Sequence, residues 1–288
     1  MIGGMLLALL GPTDAEAGGC TRDLGSAYLK ASADAYQALT FQAPGESERS
    51  DGNYVGQQYG IYAEAGLSSK HPIQIAVAAP LVTVGTHSTE IFDAFGELPV
   101  RATTVRAGDL RVWAQTALSN RAPIAAGLEV KVPLYANGGV GESLRNFDEL
   151  FPKPGDGQVD VTAWLYAGHA ISAKTFAEVG AGYLWRTDAF VGWETAIRFN
   201  DGFRLLGKVG TTVGPVLLVG GLDGQFVFSG MADGEVDLYT RRFLAAFGSA
   251  LIDVGDSGFA IEPRIAYEVW AVNASQGWGG GLGVSWRR

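Results

Sequence analysis

FAIEPRIAYEVW (259–270) poses the problem that most of the chain repeats. Phe259, Ile261, Pro263, Ile265, Tyr267 and Val269 take one set of alternate positions. Glu262, Arg264 and Glu268 take the other. Residues two apart share a face of a β-strand, so the segment reads as a strand with one apolar and one charged face. FVGWETAIRF (190–199) has the same form, with Val191, Trp193, Thr195, Ile197 and Phe199 opposed to Glu194 and Arg198. Two settings produce such strands. A soluble sheet turns its charged face to water, and a membrane barrel turns that face inward and its apolar face to lipid.

Composition favours the second setting. Charged residues make up 18% of the 288, below the roughly 25% of ordinary soluble domains. There are 41 glycines, and the mean hydropathy is +0.12. Yet no stretch approaches the ~18 consecutive apolar residues of a membrane-spanning helix. The hydrophobicity must therefore be spread over strands.

The N-terminus reads as a separate piece. MIGGMLLALLG (1–11) is a short apolar run, followed by Pro12 and the Ala-x-Ala pattern of Ala15 and Ala17. This is the form of a signal peptide covering 1–17, although its first residues carry no Lys or Arg. Ala17-Gly18-Gly19-Cys20 also invites a lipoprotein reading, but the apolar run ends too early for one. Cys20 is the only cysteine, so the chain forms no internal disulfide and no cysteine-based zinc site. Residues 18–288 keep 21 basic and 28 acidic side chains, a formal charge of −7. An acidic surface argues against nucleic acid as a partner.

Period-two alternation dominates after residue 23. It gives runs at about 25–43, 53–68, 71–86, 106–119, 122–135, 157–171, 174–186, 189–199, 203–221, 237–252, 257–271 and 276–287. Several are longer than the 5–6 residues of a typical globular strand and suit a tilted membrane strand of about 9–11. Pro80, Pro133 and Pro263 interrupt some runs, and Gly214-Pro215 offers a point at which 203–221 splits in two. Short connections (SSKH, SNRA, SAK, NDG, VGDSG) alternate with longer polar or Gly-rich ones at 44–52, 87–105, 136–156 and 222–236. Arg186-Thr187-Asp188 and the NASQG tip (273–277) are short connections on the long-loop side. Trp185, Trp193, Phe199, Tyr239, Phe243, Tyr267, Trp278 and Trp286 fall mostly on apolar faces near strand ends, as interfacial aromatics do.

Hydrogen bonding decides between barrel and sandwich. In lipid each unpaired backbone group costs several kcal/mol, and closure alone removes strand edges. A sandwich core would require larger residues than the Ala, Gly and Thr at many apolar-face positions here. The expectation is an all-β fold: an antiparallel up-and-down transmembrane β-barrel of about 12 strands, with 10 or 14 as alternatives. It spans 18–288 as one domain, integral to a bacterial outer membrane. The lipid bilayer and the barrel-assembly machinery are its expected partners.

Candidate chemistry is sparse. His71, His87 and His169 are far apart and share no ligand spacing. No Ser-His-Asp or Cys-His set and no G-x-S-x-G occurs. NGGVGES (137–143) lacks the Lys-Ser/Thr ending of a phosphate loop. Asn273-Ala274-Ser275 matches a glycosylation sequon that is incidental in a bacterium. No metal, cofactor or enzymatic activity is expected. The inward faces are more informative. The lumen-lining candidates are Glu64, Trp113, Glu129, Lys131, Asp160, Glu178, Glu194, Arg198, Arg204, Lys208, Arg242, Glu262, Arg264 and Glu268, with Lys30, Asp34 and Arg111 of the same parity. Facing lipid, such charges would cost up to about 2–4 kcal/mol each at the midplane. Inside, they either form an ion-pair lattice that fills the lumen or line a path for a solute. Tyr54, Tyr62, Trp164, Tyr166 and Trp270 add aromatic surface on the same side. Loops 87–105 and 136–156 are apolar enough either to fold inward as a lid or to cap the surface.

One stretch resembles a known family. Gly108-Asp109-Leu110 opens a strand, and Val132-Pro133-Leu134 ends the next. After a Gly-rich loop, Gly155-Asp156-Gly157-Gln158 with Asp160 begins another. Together with the final EVWAVNAS…GLGVSW, this is similar to the outer-membrane barrels named for the meta-pathway of phenol degradation. That family has Gly-Thr-Gly where this chain has Gly155-Asp156-Gly157, and its last aromatic is terminal whereas Arg287 and Arg288 follow Trp286 here. The resemblance implies a channel for passive uptake of small hydrophobic or aromatic solutes. The residues alone leave a second class open: a structural barrel with a closed lumen and partner-binding outer loops.

Overall fold

The structure, a computed structural model, describes residues 24–42, 50–51, 54–68, 72–93, 96–119, 123–135, 157–187, 189–191, 195–197, 199–228 and 240–288. Its strands in chain order are β1 (Ala27–Phe41), β2 (Ser50–Asp51), β3 (Tyr54–Ser68), β4 (Ile73–Asp93), β5 (Gly96–Arg106), β6 (Asp109–Ala117), β7 (Ile124–Pro133) and β8 (Asp160–Ser172). There follow β9 (Thr175–Arg186), β10 (Ala189–Val191), β11 (Thr195–Ile197), β12 (Gly202–Val213), β13 (Val216–Val227), β14 (Arg242–Asp253), β15 (Phe259–Val272) and β16 (Ser275–Arg287). The expected signal peptide lies outside the described residues.

Twelve of these strands form a closed antiparallel barrel, as the alternation predicts. The order is β1-β3-β4-β6-β7-β8-β9-β12-β13-β14-β15-β16, and β16 pairs back onto β1 from Tyr28↔Arg287 to Phe41↔Ser275. Ala27 and Arg288 exchange two backbone hydrogen bonds at the seam, 3.0 and 2.9 Å long. Both ends of the barrel sheet thus lie at the short-turn rim.

The strand count agrees with expectation for two compensating reasons. The 203–221 run splits at Gly214-Pro215 into β12 and β13. Gly214 has φ of +59°, the left-handed value that suits glycine in a two-residue hairpin turn. In the other direction, 189–199 is not a barrel strand. Ala189–Val191 and Thr195–Ile197 pair with each other in a small hairpin apart from the barrel sheet. With that correction the connection between β9 and β12 becomes long, and the Arg186-Thr187-Asp188 anomaly disappears. Glu194 and Arg198 lie outside the described residues. Segment 87–105 belongs to a β-hairpin, since β4 extends beyond its pairing with β6 and pairs with β5. Pro80 sits buried where β4 changes partner, a place where a missing N–H breaks no ladder.

Exposure alternates along the strands and assigns their faces. In β9, Val179, Tyr183 and Trp185 are exposed to the outside, while Glu178, Leu184 and Arg186 are buried inward. Bulges interrupt this alternation, two of them well inside their strands. Leu81 is an extra residue between the Tyr59↔Val82 and Gly60↔Pro80 pairs. Val269 is an extra residue between Leu244↔Trp270 and Ala245↔Glu268. The second bulge turns Trp270 outward, 41% exposed, against the inward expectation. Phe243 departs the other way: it is buried among Tyr36 and Tyr54 on the inner face.

The inner face of β16 carries Ser275, Gly277, Gly279, Gly281, Gly283 and Ser285. A Cβ on Gly281 would collide with the Asp34 carboxylate, and one on Gly283 would lie 3.1 Å from the Lys30 side chain. The glycines therefore clear space for side chains that reach over β16. We predict that Gly281→Val, an overpacking change of about 1–3 kcal/mol or more, removes the folded, heat-modifiable band on gels of detergent-refolded protein. Gly280→Val, on the lipid face with only a 3.4 Å contact to Arg264 O, should retain it.

Candidate functional site

The buried inner wall is organised as bonds that leap over small-residue strands. At the seam, β1 reaches across β16 to β15. Lys30 Nζ lies 3.2 Å from Glu262 Oε2, and Arg264 Nε donates to Asp34 Oδ1 at 2.6 Å. Tyr28 also donates to Glu262. Tyr36 donates to Glu268 Oε2 at 2.6 Å, and the Gly277 amide donates to the same oxygen at 2.7 Å. Asp34 and Arg264 both stand opposite Gly281 in register, so their pair lies directly above it.

From β1 the chain of contacts continues sideways. Tyr28 meets Tyr62 edge-on at 5.8 Å, and Tyr62 donates to Glu64 at 2.7 Å. Tyr62 then meets Trp113 of β6 at 6.2 Å, above the Ala76 and Ala78 positions of β4. Alanine here does what glycine does in β16.

Glu129 on β7 is the centre of the opposite wall. Its Oε1 accepts from Arg111 Nη1 and from Arg204 Nη1, each at 3.0 Å. Its Oε2 accepts from Arg204 Nη1 at 3.0 Å and from Trp164 Nε1 at 3.1 Å. Arg204 belongs to β12, three strands from β7 in the barrel order. Its side chain passes over Gly182 and across the Trp164 ring, with Cζ 5.1 Å from the ring centroid. Trp164 stacks on Tyr166 at 5.3 Å and 15°, and Leu206 packs beside them. Gly180 and Gly182 make this platform possible, since a Cβ on either would lie 2.7–2.8 Å from Tyr166 or Thr162. Arg204 Nη2 is also 3.7 Å from Asp223 Oδ2.

Simpler cross-strand pairs complete the lattice. Lys208 and Glu178 face each other in register at 2.8 Å. Asp160 holds Lys131 at 2.7 Å and Arg186 at 3.3 Å, with Lys131 3.7 Å from Asp109. Arg242 stands apart from the other candidates. It begins β14 on the parity opposite to Phe243, and its Nε donates to the Val227 carbonyl at 2.9 Å. The strand parity therefore does not aim it inward as expected. His169 is exposed near the short-turn rim. Among the described residues no group of three His, Cys, Asp or Glu is placed to hold a metal ion.

Asp223 and the Arg204–Glu129 bridge escaped the sequence reading. Alternation tells on which side a residue lies, but gives no sign of a partner 75 positions away. The inward glycines were visible, but their use depends on register.

No family model and no curated protein matches the sequence. Among solved structures, the COG4313 outer membrane channel from Pseudomonas putida F1 superposes with a TM-score of 0.70 at 11% identity. The match covers 96% of this chain and 100% of that one. This chain has that channel's fold. It is a closed antiparallel β-barrel with an apolar outer face. The translocator domain of the autotransporter NalP from Neisseria meningitidis gives 0.44 at 12% identity, covering 98% of this chain and 92% of that one. The Pseudomonas putida toluene transporter TodX gives 0.40 at 9%, covering 91% and 88%. These last two scores add nothing to the fold assignment.

The ion-pair geometry yields a stability prediction. Arg204→Ala strips Glu129 of a guanidinium inside the barrel, a change worth about 3–5 kcal/mol for a buried pair. Glu129→Gln should cost less in the Arg204→Ala background than in the native chain, because the pair it breaks there is already gone, while Arg111 still faces residue 129 in both. Urea unfolding of the folded barrel, followed by tryptophan fluorescence, measures both. Strictly additive losses would contradict the bridge.

Proposed function

We propose that the protein is an outer-membrane channel for the passive passage of small, partly apolar solutes. One observation carries the reading: the Glu129 wall mixes charged groups with an apolar platform. Arg111, Arg204 and Asp223 keep 10–13% of their side-chain surface accessible, beside Trp164, Tyr166 and Leu206. A wall that served only as packing would have no use for charges left in contact with solvent. A solute with an apolar body and a polar group matches such a lining. The resemblance to the meta-pathway phenol-degradation barrels, and the fold shared with a bacterial outer membrane channel, support the same reading.

A second reading rests on a different observation. The wall formed by β1, β3 and β15 is nearly sealed, with Tyr28 and Tyr62 each 1% exposed and Glu268 0%. A lumen sealed all round would make this a structural barrel whose outer loops bind a partner. Liposome swelling separates the two. The channel reading predicts entry of small solutes at a rate that scales with protein content and falls with solute size. Swelling no faster than in protein-free vesicles, with no conductance in planar bilayers, would reject the channel and leave the closed barrel.

A further inference from the structure

On the Glu129 wall the buried donors without a partner among the described residues are guanidinium Nε–H groups, beside the Asp223 carboxylate 3.7 Å from Arg204 Nη2. Both carboxylate oxygens of Glu129 are already occupied by Arg111, Arg204 and Trp164. The two guanidiniums are not saturated. Arg111 and Arg204 each commit Nη1 to Glu129, while the Nε–H of each has no hydrogen-bond partner among the described residues. A buried donor without an acceptor is a standing cost that a bound acceptor removes. The two guanidiniums converge, because both Nη1 atoms lie 3.0 Å from the same Glu129 oxygen. Beside them is an apolar surface, the stacked Trp164 and Tyr166 rings with Leu206.

We infer that Arg111 and Arg204 form a carboxylate-binding site inside the barrel, with Trp164, Tyr166 and Leu206 receiving the apolar body of the ligand. The favoured solute class is then a small organic acid with an aromatic or compact apolar body, even though the chain as a whole is acidic. Guanidinium suits this task through its planar fork of donors, which matches a carboxylate. The Nη1 corners stay on Glu129 and hold the side chains in place, and the Nε edges turn to the ligand. The inference deepens the channel reading, on which its relevance to uptake rests.

The test is calorimetric titration of the full-length, detergent-refolded barrel with sodium benzoate, benzyl alcohol and sodium chloride. Benzoate should bind at least about tenfold more tightly than benzyl alcohol, as expected where a site's charged donors lose their acceptor. Chloride should not compete at equal concentration. Arg111→Gln and Arg204→Gln should each weaken benzoate about tenfold or more. Arg204→Lys keeps the charge and gives up the fork, so it should weaken binding several-fold. It also supplies the readout if Arg204→Gln fails to give a folded band. Lys30→Gln, on the other wall, should leave the affinity unchanged. The site is overturned by absence of benzoate binding, by equal affinity for benzyl alcohol, by competing chloride, or by unchanged affinity in the arginine variants. A Lys30→Gln loss as large as theirs would also overturn it, since attraction would then come from the general field. Titration requires no flux. Benzoate binding without liposome entry therefore removes the channel reading and leaves the site, and entry without selective binding does the reverse.

Discussion

The backbone hydrogen bond between first and last strands is the constraint on which everything else rests. An open sheet in hydrocarbon would leave a row of unpaired N–H and C=O groups along both edges, each at several kcal/mol. Pairing β16 with β1 over the full length of both strands removes the edges. Closure then fixes an inside and an outside. Once they exist, every residue of a spanning strand is committed to one or the other by its parity, and charge can go only inward.

An interior created in this way is narrow and must be filled or bridged by side chains of the right length. The barrel solves this unevenly. Long side chains on some strands reach over neighbours reduced to glycine, serine or alanine, at β16, at β4 and at Gly180 and Gly182 of β9. Buried acids are held by opposite charges, as Glu262 by Lys30 and Asp34 by Arg264, or by hydroxyl and amide donors, as Glu268 by Tyr36 and Gly277. The lattice leaves one wall nearly sealed and the other, around Glu129, with partly accessible charges and spare donors.

Much of this was legible in the sequence, for a definite reason. Period-two alternation is a local property, and Glu64, Glu178, Lys208, Glu262, Arg264 and Glu268, which it sets on the charged faces, are buried. What it could not register was any change of parity. The bulge at Val269 turned Trp270 outward, and the two-residue turn at Gly214 hid a strand boundary inside one long run. FVGWETAIRF alternates as well as any barrel strand, yet its two halves pair with each other. Alternation alone does not separate a short amphipathic hairpin from a spanning strand. The abnormally short connection that precedes it held that information. Partners across several strands, such as Arg204 and Glu129, depend on the barrel's curvature, which no local pattern encodes.

The glycine and serine face of β16 has a consequence for how the barrel is assembled. β16 is the last strand of the barrel sheet, and it brings almost no bulk to the interior. Register is the thing it must get right, and a one-residue slip inverts the faces of a strand. In a slipped seam Trp278, Leu282 and Val284 would point at Asp34 and Lys30, and the bonds from β1 to β15 would be blocked. Only the native alignment opens the gap through which those two strands clasp each other. The emptiest strand thus acts as the barrel's proofreader, since its neighbours can lock only when it lies in register.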